Sequence, residues 1–278
     1  MPLETMAGYV CTVAGGKGGV GKTTTAVNIG AVLEEDGYDV VVVDADLGMA
    51  NLGEMLGVDH EVSLHEILSG DATVSEGLAD AEGGLTVVPG EQSLEAFAEA
   101  DPAKLRKVIK TLRNAFDVVL VDTGAGLSHE VTVPLGLADG ILMVTTPDEV
   151  AVGDTIKTAD LADRVDGPVI GGIVTRVTRN TDVGAITDEF PFPTLGVVPV
   201  DLEATEQEPM VLNTPDSRAS EAYRRLTVSL EEIFFEGTDP EDLFVVFEEG
   251  WFRDEDESAT EDAAEEEDEG GLFGRFGR

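Results

Sequence analysis

The sequence predicts an α/β fold: a doubly wound, mostly parallel sheet with helices on both faces. Two features of the chain predict it. Apolar runs without polar alternation recur along the sequence, as expected for parallel strands that are buried on both faces. Helical patterns separate these runs, and this alternation favours right-handed crossovers within one sheet. The predicted strands span residues 9–14, 39–43, 85–88, 117–122, 140–145 and 169–174.

The predicted helices follow from apolar periodicity and from the residues at their ends. A helix from Thr24 to Glu35 turns its apolar residues inward and ends before Gly37. Asp101 and Pro102 are typical of a helix start, with aspartate as the N-cap and proline in the first turn. The other predicted helices are a short one ending at Gly70, one from about Asp148 to Val165, and a last one capped by Thr214-Pro215 that runs to about Phe235.

A glycine-rich segment lies between the first strand and the first helix. From Gly16 to Thr23 it fits the pattern G-x-x-x-x-G-K-[ST], the phosphate-binding loop. In this motif backbone N–H groups surround the phosphates, Lys22 reaches the terminal phosphates, and the Thr23 hydroxyl binds Mg²⁺. The helix that follows adds its unpaired N–H groups and its dipole. The predicted nucleotide contacts are Gly16, Lys17, Gly18, Gly19, Val20, Gly21, Lys22, Thr23 and Thr24.

Lys17 is a second lysine inside this loop, and a nucleotide bound by one chain does not require it. The segment Lys17-Gly18-Gly19-Val20-Gly21-Lys22-Thr23 resembles the signature K-G-G-x-G-K-[ST] of the deviant Walker A ATPases, the MinD and ParA group of P-loop NTPases. The resemblance covers about residues 9–235 and implies ATP and Mg²⁺ as cofactors, ATP hydrolysis, and an ATP-dependent homodimer. It also implies that Lys17 crosses the dimer to the partner's nucleotide and acts in catalysis with Lys22. The alternative is a loop lysine that faces solvent.

Carboxylates follow the second predicted strand, where open α/β sheets bind their ligands. Asp44-Ala45-Asp46 resembles the family's switch I segment, D-x-D. The resemblance implies that Asp46 orients the attacking water, that Asp44 supports the metal ion through water, and that Asn51 falls on a nucleotide-site position. For Asp44, helix capping is the competing interpretation.

A further acid ends the strand at 117–122. Asp122 has the Walker B arrangement and would hold Mg²⁺ through water, because Mg²⁺ keeps most of its hydration shell and prefers hard oxygen ligands. The succeeding Thr123-Gly124-Ala125-Gly126 resembles the family's switch II, D-x-P-A-G, with Gly124 in place of the usual proline. We expect this departure to loosen the loop without removing the Gly126 N–H, which would meet the γ-phosphate.

The adenine side of the site is predicted by resemblance alone. Thr175-Arg176 stands where the family places adenine-side residues, which makes Arg176 a candidate contact. Residues 195–199 with Asp201 resemble the later adenine loop, G-V-I-P-x-D, and make Pro199 and Asp201 candidates. Asparagine is common near Thr175 in relatives, so its absence favours backbone contacts to the base.

Charge and composition restrict the function further. The formal net charge is −40, and −26 of it lies on residues 1–235, so the body itself is acidic. Such a field repels nucleic acid, and we expect no direct nucleic acid binding. Acidic residues in place of lysine also indicate a protein from a high-salt, halophilic cytoplasm, where the Debye length is about 3 Å. No apolar run approaches the roughly 18 residues of a membrane helix, and the N-terminus lacks a signal peptide's features, so we expect a cytoplasmic protein.

Cysteine and histidine residues indicate no further metal chemistry. Cys11, the one cysteine, lies in the first predicted strand, so the sequence excludes an internal disulfide and metal sites that need paired cysteines. His60 and His65 each have a glutamate next to them, but the spacing does not fit H-E-x-x-H. Both histidines are therefore predicted to lie on the surface.

The chain changes character at Glu236, which divides it into an ATPase domain of residues 1–235 and an acidic tail of residues 236–278. Acidic, apolar-poor sequence is typical of disorder, which we expect for most of 254–270. The tail ends with Leu272, Phe273 and Phe276 on one helical face beside Arg275 and Arg278. This end resembles the membrane-targeting helix of the MinD branch, which implies peripheral attachment to the inner face of the membrane. Docking to an unknown protein partner and an inert tail are the alternatives.

Two functions are consistent with these observations. The first is an ATP-hydrolysing switch that dimerises with ATP and positions machinery for cell division, motility or cell shape. The second is a nucleotide-binding scaffold that acts through its acidic tail with little hydrolysis. Measured ATP turnover separates the two, because only the first requires catalysis by Asp46.

Overall fold

Eight strands within the described residues form one sheet. The computed structural model describes residues 7–201 and 207–243. The strand order is β3-β4-β2-β5-β1-β6-β7-β8. The strands are β1 (Tyr9–Ala14), β2 (Val40–Ala45), β3 (Ala79–Asp80), β4 (Thr86–Val88), β5 (Val118–Thr123), β6 (Gly140–Thr145), β7 (Val169–Val177) and β8 (Thr194–Pro199).

The sheet is parallel except at one edge. Across the sheet, every pair of neighbouring strands in the order β4-β2-β5-β1-β6-β7-β8 is parallel. The two-residue strand β3, at the edge, pairs antiparallel with β4. All residues of β2, β5 and β6 are buried, which accounts for the apolar runs in their sequences. The predicted mostly parallel, doubly wound sheet is confirmed.

The described helices cover both faces. They are α1 (Lys22–Glu35), α2 (Leu52–Leu56), α3 (Leu64–Ser69), α4 (Leu94–Glu99), α5 (Leu105–Leu112), α6 (His129–Leu135), α7 (Glu149–Arg164), α8 (Val183–Thr187), α9 (Met210–Asn213) and α10 (Arg218–Glu231). On one face the apolar residues of α3, α5, α6 and α7 pack against alternate strand residues such as Val41, Val119 and Ile141. On the other face α1 lies close to the sheet, because a Cβ on Gly30 would stand 3.0–3.4 Å from side chains of Leu85, Val42 and Leu120.

Several predicted boundaries differ from those observed. The last helix is capped by Ser217, whose side chain accepts from the Ser220 N–H, and not by Thr214-Pro215. After α10 the chain continues as a π-helix over Glu232–Glu236. Residues 195–199, predicted as a loop, belong to the eighth strand. Short helices such as α2 and α8 were not predicted, because five residues are too few to show a helical period.

The predicted tail lies largely outside the described residues. The membrane-facing candidates Leu272, Phe273 and Phe276 are among the residues not described, so their role stays a prediction, as does the domain boundary at Glu236. In the part of the chain that is described, every helix is too short or too polar to cross a bilayer.

Candidate functional site

The glycine-rich loop joins β1 to α1 at the carboxyl edge of the sheet. Gly19 and Gly21 have φ values of 74° and 97°, in the left-handed region that favours glycine. Gly21 is the N-cap of α1, so the unpaired N–H groups of the first helical turn open toward this loop. Gly16 leaves no room for a side chain, since a Cβ there would stand 2.1 Å from the backbone of Asp154. The local structure is the anion-binding arrangement that the sequence predicts.

Lys22 is the first residue of α1, and only 7% of its surface is exposed. Burial lowers the pKa of its ammonium group, while the nearby carboxylates of Asp122 and Asp46 oppose that shift. A buried cation next to two acids is stable only if negative charge stays close to it. The two carboxylates meet this condition in the structure, and the phosphates of a bound nucleotide would add to the negative charge beside Lys22.

Thr23 and Asp122 form the predicted metal-binding pair. The Thr23 hydroxyl donates to Asp122 Oδ2 across 2.6 Å and lies 3.3 Å from Asn51 Oδ1. Burial, and after it the charge of Asp44, raise the pKa of the Asp122 carboxyl to about 8, although the hydrogen bond from Thr23 and the charge of Lys22 oppose the shift. Among the described residues no donor bonds the buried Asp122 Oδ1. An unpartnered, fully buried carboxylate oxygen beside a hydroxyl fits a hydrated Mg²⁺ ion.

Asp44 is fully buried at the end of β2, and backbone groups bond its carboxylate. Oδ2 accepts from the N–H groups of Asn51 and Leu52, each at 3.0 Å, and Oδ1 from the Asp46 N–H at 3.3 Å. Because Asn51 is the N-cap of α2, Asp44 binds the start of that helix. The structure therefore shows the capping interpretation, and support of a metal ion by Asp44 stays a prediction.

Asp46, the last residue of the predicted switch I segment, lies against Gly124 of the predicted switch II segment. Its Oδ1 accepts from the Met49 N–H at 3.1 Å. A Cβ on Gly124 would stand 3.0 Å from the same oxygen, so the glycine that replaces the usual proline makes room for Asp46. Gly126, two residues later, has a φ of 95°, again in the left-handed region. The structure thus brings Asp46 against the Gly124–Gly126 loop, next to Lys22 and Asp122.

Lys17 forms an ion pair within its own chain, and its side chain is about half exposed. Its Nζ lies 2.9 Å from Asp148 Oδ1, and the Asp148 side chain also accepts from the Ala151 N–H as the N-cap of α7. Hydrogen bonds from Lys17 and Ala151 lower the pKa of Asp148. This partner, 131 residues away in sequence, was not among the alternatives that the sequence analysis considered.

The predicted adenine-side residues line one cavity of about 350 Å³ beside the loop. Arg176 has a φ of 56° at an irregularity in the β7–β8 register, which turns it out of the strand. The Thr175 hydroxyl lies 2.7 Å from the Val20 carbonyl and 3.0 Å from that of Thr145, so it fixes the loop to the sheet. The cavity is lined by Val20, Gly21, Thr24, Thr175, Arg176, Val198, Pro199, Val200, Asp201, Met210, Ala219 and Tyr223.

The prediction that both histidines lie on the surface is wrong for His65, of which 1% is exposed. Its Nε2 lies 2.9 Å from the Leu47 carbonyl, and its Nδ1 accepts from the Glu91 N–H at 3.1 Å. The imidazole therefore joins the residue after Asp46 to the segment after β4. No local pattern shows this role, because both bonds are to backbone groups 18 and 26 residues away.

Comparisons with known proteins agree with this geometry. The profile of a family described as an AAA domain matches residues 8–161. An uncharacterized ATP-binding protein of Methanocaldococcus jannaschii is 33% identical over 236 residues, which are 82% of this chain and 89% of the relative.

Two solved structures share the fold. The cell division ATPase MinD of Pyrococcus furiosus matches with a TM-score of 0.78 and 32% identity, over 81% of this chain and 99% of that one. The septum site-determining protein MinD of Pyrococcus horikoshii, complexed with Mg-ADP, matches with a TM-score of 0.76 and 31% identity, over 84% and 99%. On its signature loop, its sheet and these relatives, this chain belongs to the MinD/ParA family of P-loop ATPases.

Proposed function

We propose that this protein is an ATP-hydrolysing switch that closes into a homodimer when it binds ATP and that positions cellular machinery. The observation that carries this function is the loop in which Lys22, Thr23 and Asp122 meet. Its cofactors are ATP and Mg²⁺, in line with the Mg-ADP bound by the Pyrococcus horikoshii protein. The names of the two solved relatives indicate cell division as the process.

The residues of the loop fit Mg²⁺ and ATP. Lys22 and the N–H groups at the start of α1 would hold the terminal phosphates, and Thr23 and Asp122 would hold the metal ion. Bound Mg²⁺–ATP supplies a phosphoryl group for transfer to water, a reaction in which the protein acts by positioning and charge neutralisation.

Asp46 is the residue that we assign to the attacking water. It is partly buried, it lies against Gly124, and its Oδ1 is fixed by the Met49 N–H. A carboxylate held in this way can accept a hydrogen bond from water and orient its lone pair. The N–H of Gly126 is the proposed donor to the oxygens that gain charge.

Dimerisation would transfer Lys17 from its own Asp148 to the partner's nucleotide. The Lys17–Asp148 pair is about half exposed on both sides, at 46% and 52%. Exposed ion pairs contribute little to stability, so the negatively charged triphosphate of a bound nucleotide competes easily for the ammonium group. The dimer would carry two C-terminal ends, one from each subunit. Two weakly binding apolar ends attach to a membrane far better than one.

An ATPase assay tests the proposal. Purified protein in high salt with Mg²⁺ should release phosphate from ATP, and Asp46→Ala should still bind ATP but release about 100-fold less. If the unmodified protein releases no more phosphate than Asp46→Ala, the protein is not an ATPase that depends on Asp46, and a nucleotide-binding scaffold is favoured.

A further inference from the structure

A pair of polar side chains that the proposed function does not use joins two parts of the site. Asn28 is fully buried on α1, one turn after Thr24. Glu208 is partly buried and lies just before α9. Asn28 Nδ2 donates to Glu208 Oε2 across 2.8 Å, between positions 180 residues apart.

Both polar atoms of the Asn28 amide are used. Nδ2 also donates to the Thr24 carbonyl at 2.8 Å, and Oδ1 accepts from the Val211 N–H at 3.0 Å. Glu208 Oε2 accepts a second bond, from the Met210 N–H at 3.3 Å, and the Thr24 hydroxyl bonds the same carboxyl group. The pair therefore ties the first turns of α1 to the start of α9.

These tied residues form a wall of the cavity beside the loop. Thr24 and Met210 both line it, and Met210 and Val211 are almost fully buried. The phosphate side has separate supports, since Thr175 holds the Val20 carbonyl and Asp122 holds Thr23. Among the described residues no side-chain hydrogen bond joins Asn28 or Glu208 to Lys22 or Thr23, so the residues at the terminal phosphates and the metal ion are held separately from this wall.

Neutral donors hold the Glu208 carboxyl group. Burial raises its pKa to about 7, although hydrogen bonds from Asn28, Met210 and Thr24 oppose the shift. The pair is therefore a hydrogen-bonded tether, and its strength depends on matched donors and acceptors.

We propose that Asn28 and Glu208 are positioning residues for the base half of the nucleotide: they hold Met210 in the cavity wall, while the phosphate loop binds the triphosphate independently. This inference rests on the proposed function, because it takes the cavity to receive the base.

Calorimetric titration with two probes, Mg²⁺–ATP and Mg²⁺–tripolyphosphate, tests the tether. Glu208→Ala should weaken ATP binding by about tenfold and leave tripolyphosphate binding within about twofold, because only ATP carries a base. Glu208→Gln is the matched control, since its amide oxygen still accepts from Asn28 and Met210. It should retain the affinity for ATP.

A second pair of variants covers the case in which Glu208→Ala fails to fold. Asn28→Asp places two acids together and should selectively weaken ATP binding, and adding Glu208→Gln restores a donor and should recover part of the loss. Parallel loss of both probes, or no loss of either, overturns the inference while the proposed function stands. An unmodified protein that binds neither probe overturns both.

Discussion

Lys17 Nζ lies 2.9 Å from Asp148 Oδ1, so the lysine that distinguishes this loop is bound within its own chain. The same aspartate caps α7. The position of α7 therefore determines where Lys17 lies before a partner arrives. Since the pair is exposed and weak, it restrains the lysine without trapping it.

We predict that Lys17→Ala binds ATP nearly normally, through Lys22, but no longer dimerises with ATP. Light scattering in high salt, with Mg²⁺–ATP and the Asp46→Ala background to slow turnover, measures the dimer. Lys157→Ala is the control, because Lys157 makes a similar exposed pair with Asp154 at 2.8 Å. If Lys17→Ala still forms dimers with ATP, Lys17 has no essential role in the dimer interface.

Asp122→Asn should separate stability from ligand binding. The Asp122 carboxyl is fully buried near Asp44, and its charge is costly when no metal ion is bound, because Lys22 offsets only part of the cost. We predict that, without nucleotide and above about pH 8, the variant unfolds at a higher temperature than the unmodified protein. The expected gain in the free energy of unfolding is about 1–2 kcal/mol. Further stabilisation of the variant by Mg²⁺–ATP should be lost.

Thermal unfolding with and without Mg²⁺–ATP measures both effects. Asp117→Asn is the control, because Asp117 lies just before the opposite end of the strand that contains Asp122, where its Oδ2 accepts from the Asp39 N–H. An Asp122→Asn protein that is less stable without ligand, or equally stabilised by Mg²⁺–ATP, would contradict the prediction.

His65→Ala should reduce turnover more than nucleotide binding. The imidazole holds the Leu47 carbonyl, and Leu47 follows Asp46, so its loss frees the segment that places the water-orienting carboxylate. We predict a kcat about tenfold lower with KM nearly unchanged, and a stability loss of about 2–4 kcal/mol from two unpaired backbone groups.

Steady-state kinetics and denaturant unfolding measure these changes. His60→Ala is the matched control, because His60 is exposed and its Nδ1 makes a long, weak contact of 3.4 Å with the Val58 carbonyl. An equal loss in both variants, or an unchanged kcat in His65→Ala, would show that the buried histidine does not act on Asp46.

Local pattern predicted the strands and the phosphate loop, because their signals lie within a few adjacent residues. Residues 10–14 and 118–122 are mostly apolar and buried, and the loop motif fixes Lys22 and Thr23 by spacing alone. The structure brings these parts together at one sheet edge, as the parallel topology requires.

The rest of the site depends on contacts between distant positions. Lys17 meets Asp148 across 131 residues, and Asn28 meets Glu208 across 180. His65 was predicted to lie on the surface because its spacing to Glu66 fits no metal motif, and nothing in the local sequence shows the two backbone groups that its buried imidazole bonds. Such pairings require the fold and have no signature in one sequence.

Deleting residues 271–278 should release the protein from any membrane or polar location. The expected reason is loss of the apolar face of Leu272, Phe273 and Phe276, whose contribution is doubled in a dimer. Imaging of a tagged copy in cells measures the location. A second variant, in which these three residues are replaced by serine and both arginines are kept, tests the apolar residues alone. Unchanged localisation of the deletion would exclude the membrane role of the tail.

Glu208 should make the nucleotide-free protein less stable as pH rises. Its pKa is raised from 4.5 to about 7 in the folded protein, so between these values the folded state binds more protons than the unfolded state. The free energy of unfolding must then fall as pH rises from about 5 to about 7, and this contribution levels off near pH 8. Tyr223, which faces the same carboxyl, stays protonated throughout, because burial raises its pKa as well.

Glu208→Gln removes this titration and keeps the hydrogen bond from Asn28. Relative to the unmodified protein it should therefore gain stability with rising pH over that interval and show no difference in slope above it. Urea unfolding at half-unit steps of pH, at constant high salt, measures the difference. Parallel stability curves for the two proteins would mean that the Glu208 carboxyl already ionises normally in the folded state.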